Sequence, residues 1–318
     1  MRANSSDVLH VAVGVIRDPR GNVLIAQRPP GVHLAGLWEF PGGKVKHGEF
    51  PYDALRRELM EELSIAVECA EPLIKVRHAY PERRVLLDVW QVSAFSGQPM
   101  GVQGQSLRWV EPDALPGISF PAANRPITTA ARLPDFYGIL DSDSPDPGVL
   151  AGRLERLAER GLRLIQMRAK GLRPLHRYVA FAKEALASCR ARGITLLLNA
   201  DPFLVEDLGA EGVHLTAARL MALSARPLRA TQWVAASCHD FAELEQAERI
   251  GVDFAVLSPV MRTATHHEVH PLGWGQFAGL VDRVNVPVYA LGGLDVGDLA
   301  RARRCGGQGI AAIRGFLL

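Results

Sequence analysis

The sequence predicts an α/β protein of two domains, in which a strand-rich first part is followed by a (β/α)8 barrel. The chain has 318 residues, which is more than one compact core of ordinary size holds. Residues 1–132 show mainly strand patterns around one strong helix, whereas residues 136–318 alternate short apolar strands with amphipathic helices. Such alternation is typical of a parallel sheet whose strands are joined by helices.

The first part contains three strand-like runs and one helix with a clear apolar stripe. Pro51 is placed to open the helix, and Leu55, Leu59 and Leu63 recur along it at every fourth residue, which predicts one buried side. The strand-like runs are HVAVGVI (10–16), NVLIAQR (22–28) and VLLDVWQVSAF (85–95). The turn RDPRG between the first two runs favours a hairpin.

The second part repeats one unit, a short strand followed in most cases by a helical stretch. Eight strands are predicted, at 136–141, 162–168, 195–199, 212–216, 233–238, 254–260, 287–293 and 309–315. Eight strands joined in this way favour a closed (β/α)8 barrel. The boundary between the two parts is expected in ARLPD, at 131–135.

Composition excludes several classes of function. The 36 basic and 34 acidic residues give a net charge of +2 with no long run of one sign, which argues against direct binding of nucleic acid. The four cysteines are far apart without a CxxC pair, so neither a zinc knuckle nor a disulfide framework is predicted. The sequence contains no run of about 18 apolar residues, so no membrane-spanning segment is predicted. A cytoplasmic protein with small-molecule partners is expected, and its oligomeric state stays open.

The helix opened by Pro51 carries three acidic residues in its later turns. Glu58, Glu61 and Glu62 share one arc, because residues three and four apart are neighbours on a helix. Their repulsion costs roughly 0.2 to 0.5 kcal/mol per pair, and the helix dipole disfavours negative charge there. A divalent cation reverses both penalties, since Mg2+ prefers hard carboxylate oxygens. A solvated acidic face is the alternative interpretation.

The residues before and within this helix favour the metal site. Gly42 and Gly43 allow a tight turn close to a ligand, Glu49 lies in the loop, and Arg57 can orient a neighbouring carboxylate through a charge-assisted hydrogen bond. The whole arrangement resembles the Nudix box. This motif consists of a glycine, five residues of any type, a glutamate, seven further residues and then REUxEExGU, in which U is an aliphatic residue. The matching positions are Gly43, Glu49, Arg57, Glu58, Leu59, Glu61, Glu62 and Ile65. Ser64 stands where the family has glycine.

Stretches outside the box, including FPAANRP (120–126), resemble the MutT branch of the Nudix family, over about residues 8–132. The resemblance implies an α/β/α sandwich with a mixed sheet. It also implies a Mg2+-dependent enzyme, with Mn2+ as an alternative ion, that hydrolyses oxidised purine nucleoside triphosphates such as 8-oxo-dGTP to monophosphate and pyrophosphate. Such a reaction cleans the nucleotide pool for DNA replication and repair.

The resemblance also implies roles for individual residues. The metal ligands are Glu58, Glu61, Glu62 and the Gly42 carbonyl, and the catalytic residues are Glu58, Arg57 and Glu62. Glu58 is either a ligand or the base that deprotonates water. The nucleotide pocket is lined by Arg28, Phe40 and Asn124. Gln103 stands where the MutT branch has a glutamate in a loop after the box. Because glutamine cannot act as a base, the identity of the general base stays open.

The second part resembles thiamine phosphate synthases and TenI thiazole tautomerases, over about residues 136–318. QMRAK matches the family's QxRxK at the C-terminal end of the second strand, where such barrels build active sites. Further matches include Asn199, GVHL (212–215) and Ser237. The resemblance predicts a pocket for a thiamine-related phosphate or another small anion, formed by Gln166, Arg168, Lys170, Thr263, Thr265, Gly292 and Gly293.

Four departures put the barrel's chemistry in doubt. Ala200 and Arg219 replace metal-binding carboxylates of the synthases, His266 replaces a lysine, and Pro259 occupies the position of the tautomerase's catalytic histidine. The barrel is therefore expected to be degenerate, to keep some synthase or tautomerase activity, or to sense a ligand. The fusion also leaves damaged thiamine-related diphosphates as an alternative substrate of the hydrolase.

Histidines do not change this interpretation. His214 lies on an apolar strand and is expected to be a hydrogen-bonded core residue. His266, His267 and His270 are close in sequence, but no acidic or cysteine spacing completes a zinc site around them.

Overall fold

The computed structural model describes residues 8–31, 34–141, 144, 146–262 and 270–316. The chain forms two compact units, residues 1–132 and residues 133–318. Each unit has hydrophobic clusters of its own. No helix in the described part of the chain is both long enough and apolar enough to cross a membrane.

The first unit is built on two sheets. One sheet has the order β4-β1-β6-β5, with β1 parallel to β6 and the other neighbours antiparallel, and the second sheet has the antiparallel order β3-β2-β7. The strands are β1 (Val8–Ile16), β2 (Val23–Gln27), β3 (Trp38–Glu39), β4 (Gly42–Lys44), β5 (Ala66–Ala79), β6 (Arg84–Ser96) and β7 (Leu107–Val110). The helices are α1 (Pro51–Leu63) and α2 (Arg125–Arg132).

Alternation along β1 places a separate core on each face of the mixed sheet. Ala12 and Ile16 pack with the leucines of α1, whereas Val13 and Val15 belong to the cluster that includes Ile127 of α2. The sheet therefore lies between helices, and the predicted sandwich with a mixed sheet is confirmed.

The second unit is a closed barrel of parallel strands in the order β8 to β15 around the ring. The strands are β8 (Phe136–Asp141), β9 (Leu164–Arg168), β10 (Thr195–Leu198), β11 (Gly212–Leu215), β12 (Trp233–Cys238), β13 (Phe254–Leu257), β14 (Val288–Leu291) and β15 (Gly309–Ala312). The helices are α3 (Pro147–Glu159), α4 (Leu175–Ala191), α5 (Pro202–Asp207), α6 (Ala217–Ala222), α7 (Phe241–Ile250), α8 (Gly273–Val281) and α9 (Leu299–Arg304). The predicted (β/α)8 barrel is confirmed.

The structure corrects several predicted element bounds. The barrel strands predicted at 254–260 and 287–293 end at Leu257 and Leu291, because Pro259 and the paired glycines interrupt the extended backbone. In the first unit, β5 and α2 were not predicted. The barrel interior is filled by large side chains such as Tyr137, Phe254 and Tyr289.

Candidate active site

The acidic residues of α1 are held in place by the burial of the opposite side of the helix. Leu55, Leu59 and Leu63 are fully buried, so Glu58, Glu61 and Glu62 lie beside this stripe. Pro51 is the first helical residue, where its missing N–H and fixed φ cost nothing. The sequence therefore fixes both the start of α1 and its orientation on the sheet.

Glycines before α1 let Glu58 lie directly against the backbone. A Cβ atom on Gly43 would be 2.2 Å from the Glu58 carboxyl carbon. Gly42 has a φ of +150°, and a Cβ atom there would be 2.1 Å from the Ala12 carbonyl oxygen. Side chains at either position would displace the carboxylate or the strand, so the paired glycine positions Glu58.

Arg57 connects the loop glutamate to the helix glutamates. Its Nε and Nη2 atoms donate to the two oxygens of Glu49, each at 2.8 Å, and its Nη1 atom donates to Glu58 at 2.6 Å. Nη1 also lies 3.6 Å from a Glu61 oxygen. Hydrogen bonding to Arg57 lowers the pKa of Glu49 to about 2. Arg57 is therefore placed to fix the orientation of Glu58.

Glu62 is the most perturbed carboxylate of the group. Burial, followed by the negative charges of Glu58, Glu39 and Glu61, raises the pKa of Glu62 to about 7. In the described part of the chain no group hydrogen-bonds to the Glu62 carboxylate. A crowded carboxylate without a donor is a position that a cation would stabilise.

Glu39, at the end of β3, is a member of the site that the sequence did not reveal. Its carboxylate accepts a hydrogen bond from Arg28, and burial raises its pKa despite this partner. Its charge also acts on Glu62. A glutamate three residues before the paired glycine was the available signal, but Glu39 belongs to no spacing pattern with the acids of α1.

The donor chemistry of this group fits a divalent metal ion. Three carboxylates and the Gly42 backbone supply hard oxygen atoms, and Glu62 has no competing partner. As the side chains stand, no three His, Cys, Asp or Glu residues of the described ranges are grouped to hold a metal ion. The Glu61 side chain is 56% exposed, so it has room to turn toward a shared ion.

The three predicted nucleotide-pocket residues, Arg28, Phe40 and Asn124, all lie in the first unit. Phe40 is buried and stacks on Phe120, with ring centroids 5.2 Å apart. Asn124 is only 9% exposed and closes the short 3-10 turn that follows Phe120. No hydrogen bond joins the Asn124 amide to another described side chain or backbone group, which leaves its donor and acceptor available. Arg28 reaches the acidic group through Glu39.

The loop that carries Gln103 is fastened to the end of α1. Val102 N–H and the Gln105 side-chain amide both donate to the Glu62 carbonyl, at 3.1 and 3.0 Å. The Gln103 side chain is exposed. The loop is therefore adjacent to the acidic group, although the residue at this position has no carboxylate.

The predicted anion pocket of the barrel begins at β9. Leu164 faces the barrel interior, and alternation places Gln166 and Arg168 on the same face. Gln166 is 2% exposed, and no described residue hydrogen-bonds to its amide. Arg168 donates to Asp141 at 2.8 Å, while Lys170 is exposed beyond the strand.

Gly292 and Gly293 follow β14 with φ values of +112° and +66°. A Cβ atom would be 2.9 Å from Pro259 Cα at the first and 2.4 Å from the Arg262 carbonyl oxygen at the second. Close approach to the loop after β13 therefore requires both glycines. Thr263, Thr265, His266 and His267 lie outside the described residues.

His214 is a buried, hydrogen-bonded residue, as the sequence predicted. It is 1% exposed and hydrogen-bonds to Tyr137 and Ser237. Burial, followed by the charge of Arg168, lowers its pKa to about 3. The imidazole is therefore neutral.

Comparisons with known proteins match each of the two units to a family. Family models match residues 12–130 as a NUDIX domain and residues 136–316 as a thiamine monophosphate synthase. The 8-oxo-dGTP diphosphatase of Escherichia coli (strain K12) is 37% identical over 119 residues, 37% of this chain and 92% of that protein. The CTP pyrophosphohydrolase of the same organism is 37% identical over 111 residues, 35% of this chain and 81% of that protein.

The second unit also matches a known protein over most of that protein's length. The thiamine-phosphate synthase of Herpetosiphon aurantiacus is 31% identical over 186 residues, which are 57% of this chain and 88% of that protein. Each half of the chain thus spans most of a relative's length. The chain therefore belongs to the Nudix family through its first domain, as a hydrolase acting on phosphorus-containing anhydrides, and to the thiamine monophosphate synthase family through its second.

Proposed function

We propose that residues 1–132 hydrolyse a nucleoside triphosphate to monophosphate and pyrophosphate, with oxidised purine nucleotides such as 8-oxo-dGTP as preferred substrates. The observation that best supports this proposal is the carboxylate of Glu62, which lies among other acids and has no hydrogen-bond donor in the described part of the chain. Burial and the neighbouring acids raise its pKa to about 7. Such a group is stabilised when a divalent cation arrives with a polyphosphate. Nudix hydrolases generally depend on a divalent metal ion.

In this proposal Glu58, Glu61, Glu62 and the Gly42 carbonyl hold Mg2+, and Mn2+ can replace it. When bound, the ion would neutralise negative charge on the polyphosphate. Arg57 keeps Glu58 oriented through the 2.6 Å hydrogen bond. Glu58 or Glu62 accepts a proton from the attacking water, since Gln103 has no basic group.

The proposed base preference rests on Asn124, together with Arg28 and Phe40. An amide presents both a donor and an acceptor, which are needed to distinguish an 8-oxo-purine from the unmodified base. The half-buried Phe120 and the buried Phe40 stack on each other and offer apolar surface to a base. Relatives of equal identity act by name on 8-oxo-dGTP and on CTP, so the base has to be determined by experiment.

The test is a substrate screen of the whole protein with Mg2+, measuring pyrophosphate release from 8-oxo-dGTP, dGTP and CTP. Glu61→Gln removes one charge from the metal site and is expected to abolish hydrolysis while keeping the fold. Glu68→Gln, an exposed glutamate on β5, is the matched control and should keep full activity. Undiminished turnover by Glu61→Gln would refute the ligand assignment.

An alternative substrate class follows from the fused barrel. If the hydrolase acts on damaged thiamine-related diphosphates, oxidised thiamine diphosphate should release phosphate faster than any nucleotide releases pyrophosphate, with both products measured in the same screen. A clear preference for 8-oxo-dGTP would exclude this alternative.

We also propose that the barrel binds a small phosphorylated compound related to thiamine in a pocket formed by Gln166, Arg168, Lys170, Thr263, Thr265, Gly292 and Gly293. The favouring observation is Gln166, a side chain that is 2% exposed, has no hydrogen bond to another described residue and lies on the inner face of β9 with Arg168. Ligand at 100 times its Kd should stabilise the domain by about 2.7 kcal/mol. Thermal unfolding with thiazole or pyrimidine phosphates measures this, and product analysis tells binding from residual synthase or tautomerase activity.

A further inference from the structure

The segments that follow β10 and β11 lie side by side at the mouth of the barrel. β10 ends at Leu198 and β11 at Leu215, and the two strands are parallel neighbours, so both chain segments leave the barrel at its C-terminal end. The first segment contains Ala200, which is only 6% exposed. The second leads into α6, whose third residue, Arg219, has an exposed side chain. A methyl group and a guanidinium therefore stand where related synthases have metal-binding carboxylates.

The charge of Arg219 is directed across the end of β10. Burial raises the pKa of the Tyr178 hydroxyl, and the positive charge of Arg219 acts in the opposite direction. Tyr178 lies near the start of α4, the helix that follows β9. Because β10 separates β9 from β11 in the ring, a charge on α6 that acts on Tyr178 reaches over β10. The guanidinium therefore extends toward the side of the mouth where Arg168 and Lys170 follow β9.

The acids at this mouth do not suit a divalent ion, which needs several hard oxygen ligands. Asp141 is paired with Arg168 at 2.8 Å. Asp201 accepts the Phe203 N–H at 3.0 Å as the N-cap of α5. Two further acids that follow strands also cap helical turns, Asp240 and Asp295. With no three His, Cys, Asp or Glu side chains grouped in the described ranges, the Mg2+ that the synthase family implies does not fit the residues of this mouth.

Two cations of the mouth are available to a ligand. The side chains of Lys170 and Arg219 are exposed, and neither makes an ion pair or a hydrogen bond with another residue that the structure describes. Lys170 follows β9 and Arg219 follows β11, so the two charges lie on either side of the end of β10. A guanidinium presents a planar fork of N–H donors that matches the oxygens of a phosphate group. The two side chains together therefore favour an anion at a place where the family binds a cation.

We propose that Arg219 supplies the positive charge that a divalent ion provides in related barrels, so that this barrel binds a phosphate or diphosphate group without a metal ion. Lys170 and Arg219 contact the anion from the two sides of β10. The ligand class rests on the anion pocket proposed above. The metal independence rests on Ala200, on Arg219 and on the engagement of the neighbouring acids.

The test measures binding of inorganic pyrophosphate to the full chain in the presence of EDTA. Without a metal ion the clustered carboxylates of the first domain repel pyrophosphate, so binding there is suppressed. The readout is the 13C-methyl signal of Met261, identified by its absence from Met261→Leu. Met261 is 40% exposed, and its N–H donates to the Gly292 carbonyl at 3.0 Å, so it reports on the barrel mouth. Wild-type protein is expected to show a saturable change in EDTA that added Mg2+ does not strengthen.

Variants of two arginines separate a binding site from a general effect of charge. Arg219→Gln should weaken pyrophosphate binding in EDTA by roughly 10- to 100-fold, the range for a hydrogen bond to a charged group. Arg219→Lys keeps the charge and should retain part of the affinity. Arg229→Gln removes the same charge from an exposed arginine between α6 and β12, at the opposite end of the barrel, and should leave binding unchanged. Equal weakening by Arg219→Gln and Arg229→Gln would overturn the proposal.

The metal dependence of the wild-type response distinguishes this proposal from the anion pocket on which it rests. A change of the Met261 signal that appears only when Mg2+ is added would overturn the metal independence and leave the anion pocket in place. No change of this signal with or without Mg2+ would refute the anion pocket and the role of Arg219 together.

Discussion

At the scale of single residues, Gly43 is the position where backbone space determines the geometry of Glu58, a residue proposed to be catalytic. Gly43→Ala would place a methyl group 2.2 Å from the Glu58 carboxyl carbon. Since that carbon is near the end of a flexible side chain, Glu58 rather than the strand is expected to move. A displacement of about 1 Å at a catalytic group can cost on the order of 100-fold in rate, so kcat should fall steeply with little change in unfolding temperature.

Gly117→Ala is the matched control for this experiment, because Gly117 lies in the same domain and its Cβ would meet no atom within 4 Å. It should leave kcat unchanged. Full activity of Gly43→Ala would show that the contact between Gly43 and Glu58 is not needed for the reaction.

Glu62 should make stability of the metal-free protein depend on pH. Its pKa rises from the usual 4.5 to about 7 in the folded chain. Between these values the folded state keeps a proton that the unfolded state has released, so stability falls as pH rises and the loss is complete above pH 7. A shift of one pKa unit corresponds to about 1.4 kcal/mol. Because Glu62 is partly exposed to solvent, the expected loss in the free energy of unfolding is on the order of 2 kcal/mol.

The measurement is urea unfolding at several pH values with a chelator present. Glu62→Gln cannot release the proton, so it should lack this part of the pH dependence and be more stable than wild type above pH 7. Parallel curves for the two proteins would contradict the raised pKa.

At the scale of secondary structure, the exit of α1 is built on a residue that is not ideal for it. Ser64 adopts the left-handed conformation, with φ of +58° and ψ of +34°, and its N–H donates to the last carbonyls of the helix. A left-handed conformation costs an L-residue roughly 1–2 kcal/mol, whereas glycine adopts it freely. The departure from the Nudix box therefore leaves the turn intact and reduces stability.

Ser64→Gly is accordingly expected to stabilise the first domain by about 0.5–1 kcal/mol after the greater entropy of unfolded glycine is included. Its unfolding temperature should rise by a few degrees. Ser188→Gly, inside α4, should destabilise the barrel by a similar amount. A lower unfolding temperature for Ser64→Gly would show that the serine side chain contributes to the cap.

Elements with regular patterns were predictable, and irregular ones were not. The leucine stripe of α1 and the short strands of the barrel follow directly from periodicity. β5 has no such pattern, since its sequence contains Pro72 and several charges and its pairing with β6 has register shifts between Val67 and Ile74. Glycines 292 and 293 marked a turn, but the loop they contact could not be identified from sequence.

The candidate sites show the same division. Residues of one helix, such as Glu58 and Glu62, could be grouped because local spacing sets their distance. Glu39 joins this group through strand pairing, and His214 hydrogen-bonds to Tyr137 and Ser237 on two other strands of the barrel. Such contacts depend on the register of distant segments, which composition and spacing do not specify.

At the scale of the whole molecule, the chain joins two units that each have a complete core. The clusters containing Phe40 and Leu59 use only residues of the first unit, and those containing Tyr137 and Phe277 use only residues of the second. Each unit also spans most of the length of a relative. Neither core needs side chains from the other half of the chain.

Residues 1–132 expressed alone are therefore expected to fold and to hydrolyse nucleotides at a rate within about a factor of two of the full chain, the range over which independent sites combine additively. Residues 133–318 expressed alone should unfold cooperatively. The measurements are pyrophosphate release for the first fragment and thermal unfolding for the second. Glu61→Gln in the first fragment is the control, and should remove its activity as in the full chain. A folded first fragment that has lost activity would show that the barrel contributes to hydrolysis, in contradiction to two independent domains.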